Sequence, residues 1–366
     1  MTVGPRPPRV LLLTGSPLDG ADGADVALAR DVLGALPDMD FLWFRQWPAR
    51  RGRPPPPAGR AIRLWTPGGS PHGRPVVLQA TLAGAVAARR ADLVHAFVTV
   101  GQAFPAFSWL RPLMLGARPV VHTVPGVDEA RLLARTRPLG TTVALSESMA
   151  RRLRAAHFGD VRVIPPMIRL SEWPFLPRPG GVPTVLYAGR LDPRGGVVTA
   201  VEAAAEAARS GAEFRLVLAV HGRPGQHTAA LREELRERAG SGGLTDVEVR
   251  GRVDDMRALL ASTHVLLFPP PVAGGTLDIP LTVLQALATG RPAVLSDLPQ
   301  FADFGDAVLR APAGDARRTG QQLAWLLEQP RVWDMLAERG RAAVEESFGP
   351  ERFADRYGAL YRELLA

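Results

Sequence analysis

The sequence predicts an α/β protein of two doubly wound domains, each on a parallel sheet. Two observations carry this. Short continuous apolar runs of strand length alternate with helical patterns along the chain. Runs that are apolar throughout mark strands buried on both faces, as in a parallel sheet. The alternation is interrupted near the middle by a proline-rich stretch, Trp173 to Pro183, with the character of a linker. The chain has 366 residues, enough for two full cores.

In order, Arg9-Val-Leu-Leu-Leu-Thr reads as the first strand and Gly15 to Gly23 as a Gly/Asp-rich loop. Asp25 to Leu36 reads as a helix with Val26, Ala29, Leu33 and Leu36 inward. Gly15, Gly20 and Gly23 lack the dinucleotide spacing, so no nicotinamide cofactor is expected. Phe41 to Phe44 is a second strand, and Arg50 to Arg60, with Pro54 to Pro57, a stiff exposed loop. A helix over Val77 to Arg89 leads to the strand Leu93 to Phe97; Pro119 to Gly126 and Thr142 to Ser146 follow as strand and turn. Ser146 caps the next helix. His95 is placed at a strand end and His122 within a strand, where a hydrogen-bonded core role competes with a functional one.

The second half opens with Thr184-Val-Leu-Tyr-Ala-Gly-Arg. Arg190 stands directly after this apolar run in a Gly-flanked turn, which packing explains poorly. Phe214 to Val220 and Asp246 to Val253 are further strand and loop segments; Met256 to Ser262 is a helix. His264-Val-Leu-Leu-Phe-Pro-Pro then leads into Gly274 to Pro292. Within it Leu281, Leu284, Gln285, Leu287 and Ala288 recur at helical spacing, and Gly290 is the stop. A loop after a parallel strand that enters a helix aims N–H groups and the positive end of the dipole at phosphate or carboxylate. Asp278 is expected at the helix entrance, with Gln285 two turns further on the same face. Helices are also expected over Ala311 to Leu327, Val332 to Phe348 and Arg352 to Leu365.

Composition excludes several classes. There is no cysteine, hence no disulfide framework, thiolate metal site or thiol nucleophile. No His/Asp/Glu cluster has metal-ligand spacing. All 44 basic residues are arginine, which fits a GC-rich genome. The net charge of +8 is uneven: residues 1–175 carry 22 Arg against 12 acids, residues 176–366 carry 22 against 24. A basic first half suits an anionic partner such as a membrane surface or phosphorylated acceptor; a solvated arginine surface is the plain alternative. No basic tract is interleaved with aromatics, so nucleic acid is not expected. Met1 to Pro8 lacks a signal-peptide core, and Ala96 to Gly116 is too interrupted by glycine, proline and arginine to span a bilayer. A cytoplasmic protein is expected, with peripheral membrane contact left open.

Several segments, in order, resemble the retaining glycosyltransferases of family four, which have the GT-B fold. Leu284-Gln285-Ala286-Leu287-Ala288-Thr289-Gly290-Arg291-Pro292 is similar to the end of that family's Glu-x7-Glu signature, with Gln285 at the second Glu and Leu277 at the first. The neighbouring Asp278 opens a variant, Asp-Ile-Pro-Leu. Gly189-Arg-Leu-Asp-Pro-Arg-Gly resembles the Gly-Arg-Leu-x-x-x-Lys-Gly motif, with Gly195 at the Lys and Arg194 before it. Val161-Arg-Val-Ile-Pro-Pro-Met-Ile-Arg resembles the Ile-Pro-Pro-Gly-Ile-Asp close of the first domain, with Met167 and Arg169 as departures, and Pro125 stands where the family often has a His.

The resemblance implies two Rossmann-like domains facing a cleft: 1–170 on the acceptor side, 171–348 for the nucleotide sugar, and a helix, 349–366, crossing back. It implies metal-independent transfer of a sugar, with retention, from a UDP- or GDP-type donor to a small-molecule, glycan or lipid-linked acceptor, without a cofactor. Arg190 and Arg194, beside Gly189, would hold the diphosphate; for Arg194 surface charge is an equal reading. Arg252 and Val253 would border the base, and Gly275, Thr276, Leu277 and Leu281 the loop and helix start. Gln285 would contact the ribose and Asp278 the sugar, with Asp278 and Arg190 as the catalytic residues. Gly20, Gly23, His95 and His122 would lie on the acceptor side. The alternative is a catalytically degenerate nucleotide-sugar-binding protein or partner subunit.

Overall fold

The computed structural model describes residues 6–19, 23–47, 59–65, 74–222, 228–274 and 277–366. The chain forms two compact units, Met1–Met167 with Pro350–Ala366, and Ile168–Gly349. The first runs β1 (Arg9–Thr14), α1 (Ala24–Ala35), β2 (Asp40–Trp47), β3 (Arg60–Trp65), α2 (Arg74–Ala88), β4 (Leu93–Phe97), α3 (Phe104–Leu115), β5 (Val120–Val124), α4 (Ala130–Leu133), β6 (Thr141–Ala144), α5 (Glu147–Ala155) and β7 (Val161–Val163). The second runs β8 (Thr184–Arg190), α6 (Val197–Arg209), β9 (Arg215–His221), α7 (Thr228–Ser241), β10 (Val247–Arg250), α8 (Met256–Ala261), β11 (Val265–Phe268), α9 (Leu281–Ala288), β12 (Ala293–Ser296), β13 (Leu309–Ala311), α10 (Ala316–Leu327) and α11 (Pro330–Ser347). The last helix, α12 (Pro350–Leu365), belongs to the first unit.

Both sheets are parallel. Their strand orders, β3-β2-β1-β4-β5-β6-β7 and β10-β9-β8-β11-β12-β13, follow one plan. In each, the first strand is central and the order reverses beside it. Ligands of such sheets bind outside the carboxyl ends of the strands at that reversal, here β1/β4 and β8/β11. The apolar runs make these central strands: Val10 to Leu12, Val185 to Tyr187 and Val265 to Leu267 are wholly buried.

In the first unit α12 packs on α1 and β4. Phe353, Tyr357, Leu360 and Tyr361, at helical spacing, form its buried face. Ser146 Oγ accepts from Met149 N at 3.0 Å, capping α5 as its sequence suggests.

Some segments depart from the sequence reading. The Pro54 to Pro57 stretch lies outside the described residues, but Arg60 opens β3, an edge strand whose only buried side chain is Leu64. Exposed arginines suit an edge because they discourage further pairing. Phe104 to Leu115 is a helix despite its prolines: Pro105 sits in the first turn, where no N–H is needed, and only Pro112 is interior. The helix expected from Ala311 starts at Ala316, because Ala311 ends β13 and Asp315 caps the turn, accepting from Arg318 N at 2.9 Å.

The linker is tied into the second unit through a buried cluster. Arg291 donates to Leu260 O at 3.0 Å and Pro177 O at 2.9 Å. Burial alone lowers its pKa to about 10, so it stays charged at neutral pH. His264 accepts from Thr184 N at 2.9 Å and donates to Pro179 O at 3.0 Å.

Candidate functional site

In the second unit β8 and β11 pair side by side, and their carboxyl ends meet at the strand reversal. β8 ends on Gly189-Arg190. A Cβ on Gly189 would come within 2.9 Å of the Tyr187 hydroxyl and 3.3 Å of the Phe268 ring, so the site needs glycine. Tyr187 is fully buried and stacks on Phe268 with centroids 5.8 Å apart. Its hydroxyl donates to Gly195 O at 3.0 Å, with Arg190 O at 3.3 Å. Burial pushes its pKa up, so it remains a donor.

The chain after β8 is thereby folded back on the strand. Pro193–Gly195 forms a 3-10 turn, and Asp192 caps it by accepting from Arg194 N at 3.0 Å. Gly196 follows at φ +97°, and a Cβ there would sit 2.6 Å from Pro269 O. Only glycine satisfies both demands, so the turn can lie against the end of β11. Ser296 Oγ holds the other side of that strand end, donating to Pro270 O at 2.6 Å.

Arg190 is half-buried, with Nη2 3.8 Å from Asp192 Oδ2. It pairs in register with His221, and Leu191 N donates to His221 O at 2.9 Å. His221 is exposed as a residue, yet crowding of its ring and, second, the Arg190 charge lower its pKa. It is therefore neutral at neutral pH, and Arg190 supplies the positive charge here. Arg194, also half-buried, lies in the same turn.

Two helices start at this reversal. α6 begins after Gly196 and α9 after Pro280, N-cap residues that supply no side-chain cap. Both helices direct the positive ends of their dipoles toward this reversal, a direction that favours an anion. Asp278 is buried ahead of α9. The expected shared helical face of Asp278 and Gln285 is corrected here. α9 starts only at Leu281, because Pro280 is extended at its N-cap (ψ 127°) and disfavours helical geometry at Ile279. Asp278 thus stands in the loop, while Leu281, Thr282 and Gln285 form the half-buried side of α9. Leu277 is half-buried in that loop; Gly275 and Thr276 lie outside the described residues.

Arg252 and Val253 follow β10, two strands from β8 at the same end of the sheet. Arg252 is exposed, with Asp254 Oδ1 3.8 Å from its Nε. Among the described residues no group of three His, Asp or Glu gathers as metal ligands would. Sequence reasoning missed two parts of this construction, Tyr187 as the pin of the turn and Gly196 as its contact with β11. Adjacent glycines after Gly-Arg were the available signal for the second.

The acceptor-side residues expected in the first unit separate. Gly20 lies outside the described residues. Gly23 is the N-cap of α1, beside Asp25, whose Oδ2 accepts from Gly15 N at 2.8 Å. His95 and His122 belong to the core and are corrected as site residues. His95 is fully buried in mid-strand, with Nδ1 2.6 Å from Tyr361 Oη and Nε2 2.7 Å from Thr123 Oγ1. His122 is fully buried, donates from Nε2 to Val98 O at 2.8 Å and stacks on Phe104.

Residues 182–329 match the family described as Glycosyl transferases group 1. The alpha-D-kanosaminyltransferase of Streptomyces kanamyceticus is 23% identical over 188 residues, which cover 50% of this chain and 46% of that enzyme. This chain therefore aligns with about half the length of that relative. The sucrose-phosphate synthase of Thermosynechococcus elongatus superposes with a TM-score of 0.77 at 20% identity, over 98% of this chain and 99% of that one. Anabaena HepE, solved with UDP and glucose, gives 0.74 at 13% identity, over 97% and 99%. The fold, two Rossmann-like parallel-sheet domains, is that of GT-B glycosyltransferases.

Proposed function

We propose that this chain transfers a sugar from a nucleotide-diphosphate donor, of UDP or GDP type, to an acceptor with retention of anomeric configuration. The observation that carries the reading is the construction at β8/β11, inside the family-matching segment. A rigid Gly-Arg turn and two helix N-termini share the strand reversal where a diphosphate would lie. Breaking the sugar–phosphate bond builds charge on the leaving diphosphate. Fixed positive groups lower the barrier when they stabilise that charge more than the ground state. Arg190, Arg194 and the two N-termini take this role, and no metal is assigned to it. Gln285 binds the ribose, Asp278 the donor sugar, and the Arg252–Val253 loop borders the base. The HepE complex, with UDP and glucose bound to a related fold, supports such a donor.

The acceptor is a small molecule, a glycan or a lipid-linked species, and the protein works in the cytoplasm. A second reading is a nucleotide-sugar-binding protein without turnover. Its motive is Gln285 and Leu277 at the two signature Glu positions, and Gly195 at the Lys position. A Cβ at Gly195 would already lie 3.3 Å from Tyr187 Oη, so the turn has little room for that Lys.

A thermal-shift panel of UDP, GDP, ADP and TDP tests the site, since a bound ligand raises stability by mass action. Stabilisation by one nucleotide is expected; a flat panel would count against any donor site. Release of free nucleotide from the matching sugar donor then separates enzyme from binder.

A further inference from the structure

We infer that the α2–α3 face of the first unit docks on an anionic lipid bilayer. Each helix has two apolar sides. The inward sides are accounted for: Ala87 and Ala88 of α2, and Phe104 and Leu115 of α3, lie in the core. The outward sides are apolar as well. On α2, Leu78, Leu82 and Val86 repeat every fourth residue and are all more than half exposed. On α3, Trp109 and Leu110 lie four and three residues before Leu113, so they share one face, and all three are more than half exposed, Leu113 at 75%. The two helices pack against each other, so the stripes belong to neighbouring elements. Scattered exposed leucines need no explanation, but two adjacent stripes at helical spacing mark an interaction surface.

Charge selects the partner. From Arg74 to Arg118 there are five arginines and one acid, Asp92. Asp92 is already engaged by Arg6 and the Arg9 N–H. Arg89, Arg90, Arg111 and Arg118 have no acidic partner among the described residues. Instead Arg111 donates to Leu139 O and Arg118 O, Arg118 to Arg89 O, and Arg89 to Ala85 O, so these three guanidinium groups lie near the C-terminal ends of the two helices. Arg137 lies over the exposed Trp109 ring, 3.1 Å from its centroid. An indole with a guanidinium on its face suits the bilayer interface, where apolar and charged groups meet. A second copy of this chain is the weaker occupant: a two-fold contact through this face would oppose arginines to arginines with no acid between them. Anionic headgroups neutralise the same arginines while the apolar stripes enter the acyl boundary. The inference does not depend on the donor site.

The test is co-sedimentation of the full chain with phosphatidylcholine vesicles, with and without phosphatidylglycerol. Wild-type protein is expected to pellet with the anionic vesicles, less at high salt, and to stay in solution with the zwitterionic ones. The double variant Leu82→Asp, Leu113→Asp should bind roughly tenfold more weakly or worse, with unchanged circular dichroism. Should that variant misfold, quenching by brominated lipid decides: the wild type should lose fluorescence that Trp109→Phe does not. Failure to pellet at low salt, equal pelleting with both vesicle types, equal quenching of the two proteins, or a solution dimer that Leu113→Asp dissolves would each overturn the inference.

Discussion

The Nδ1 atom of His95 and the hydroxyl of Tyr361 lie 2.6 Å apart, joining the middle of the first sheet to the last helix of the chain. The other His95 nitrogen meets Thr123 Oγ1, which in turn meets Tyr357 Oη at 2.8 Å. α12 is thus held by an enclosed polar chain of four side chains as well as by apolar packing. Such a network is stabilising only when every member is satisfied. Tyr361→Phe keeps the ring and strands one His95 nitrogen. We expect a loss of about 1–3 kcal/mol in the unfolding of the first unit, measured by urea denaturation, with donor-nucleotide affinity unchanged.

The same burial makes the first unit acid-sensitive. Desolvation, then the His122 charge, holds His95 well below its ordinary pKa, and desolvation lowers His122 from 6.5 to about 4. Facing them are the neutral hydroxyls of Tyr357 and Tyr361, with Asp31 acting on Tyr357. Both rings take protons more readily unfolded than folded. Stability is therefore complete above about pH 6.5 and falls as the pH drops through the window toward 4. For His122 alone the loss is roughly 2 kcal/mol by about pH 5. The urea midpoint measured across that window should fall, and His122→Gln should flatten the slope.

At the proposed donor site the turn after β8 is held by a pin and a contact. Gly196→Ala meets both a left-handed backbone and the Pro269 carbonyl. A cost of about 1–3 kcal/mol is expected, with weaker nucleotide binding, because the turn must move away from β11. Tyr187→Phe should act in the same direction and less strongly, since only hydrogen bonds are lost. Calorimetric titration of both variants checks the order.

How much of this was legible in the chain depends on how local each feature is. Arg190 was legible because a charged residue closing an apolar run, between a glycine and a turn, has no packing explanation. The start of α9 lies about one turn beyond Asp278, the expected helix entrance, because Pro280 holds the backbone before it extended. α3 was hidden by Pro105 and Pro112, which read as breaks although one of them sits where a helix tolerates it. The roles of His95 and His122 were beyond reach: their strands were evident, but Tyr361 lies 266 residues from His95 in sequence. No local pattern announces a partner at that distance.

Arg190→Ala tests the proposed diphosphate clamp. Loss of a charge-assisted hydrogen bond should weaken nucleoside-diphosphate binding by about 1.5–3 kcal/mol. The effect should be smaller for the nucleoside alone, which presents no phosphate. Equal affinity of variant and wild type for every nucleotide would remove Arg190 from the site.

In the proposed donor site Asp278 and Gln285 serve different parts of the donor, and the structure places them on different elements. Asp278 is buried in the loop before α9, and Gln285 is half-buried on the helix itself. A loop carboxylate and a helix amide can therefore serve different parts of one donor. Gln285→Glu should preserve or tighten donor binding, because a carboxylate accepts hydrogen bonds from a ribose diol more strongly than an amide does. Asp278→Asn removes charge from the sugar side and leaves the diphosphate contacts intact. It should lower kcat more than it raises KM, the pattern of an interaction made mainly in the transition state. Steady-state kinetics on the donor identified by nucleotide release would read both. If the wild type turns over no donor, and Gln285→Glu alters neither binding nor turnover, the chain is a nucleotide-sugar binder, and the altered signature marks a lost reaction.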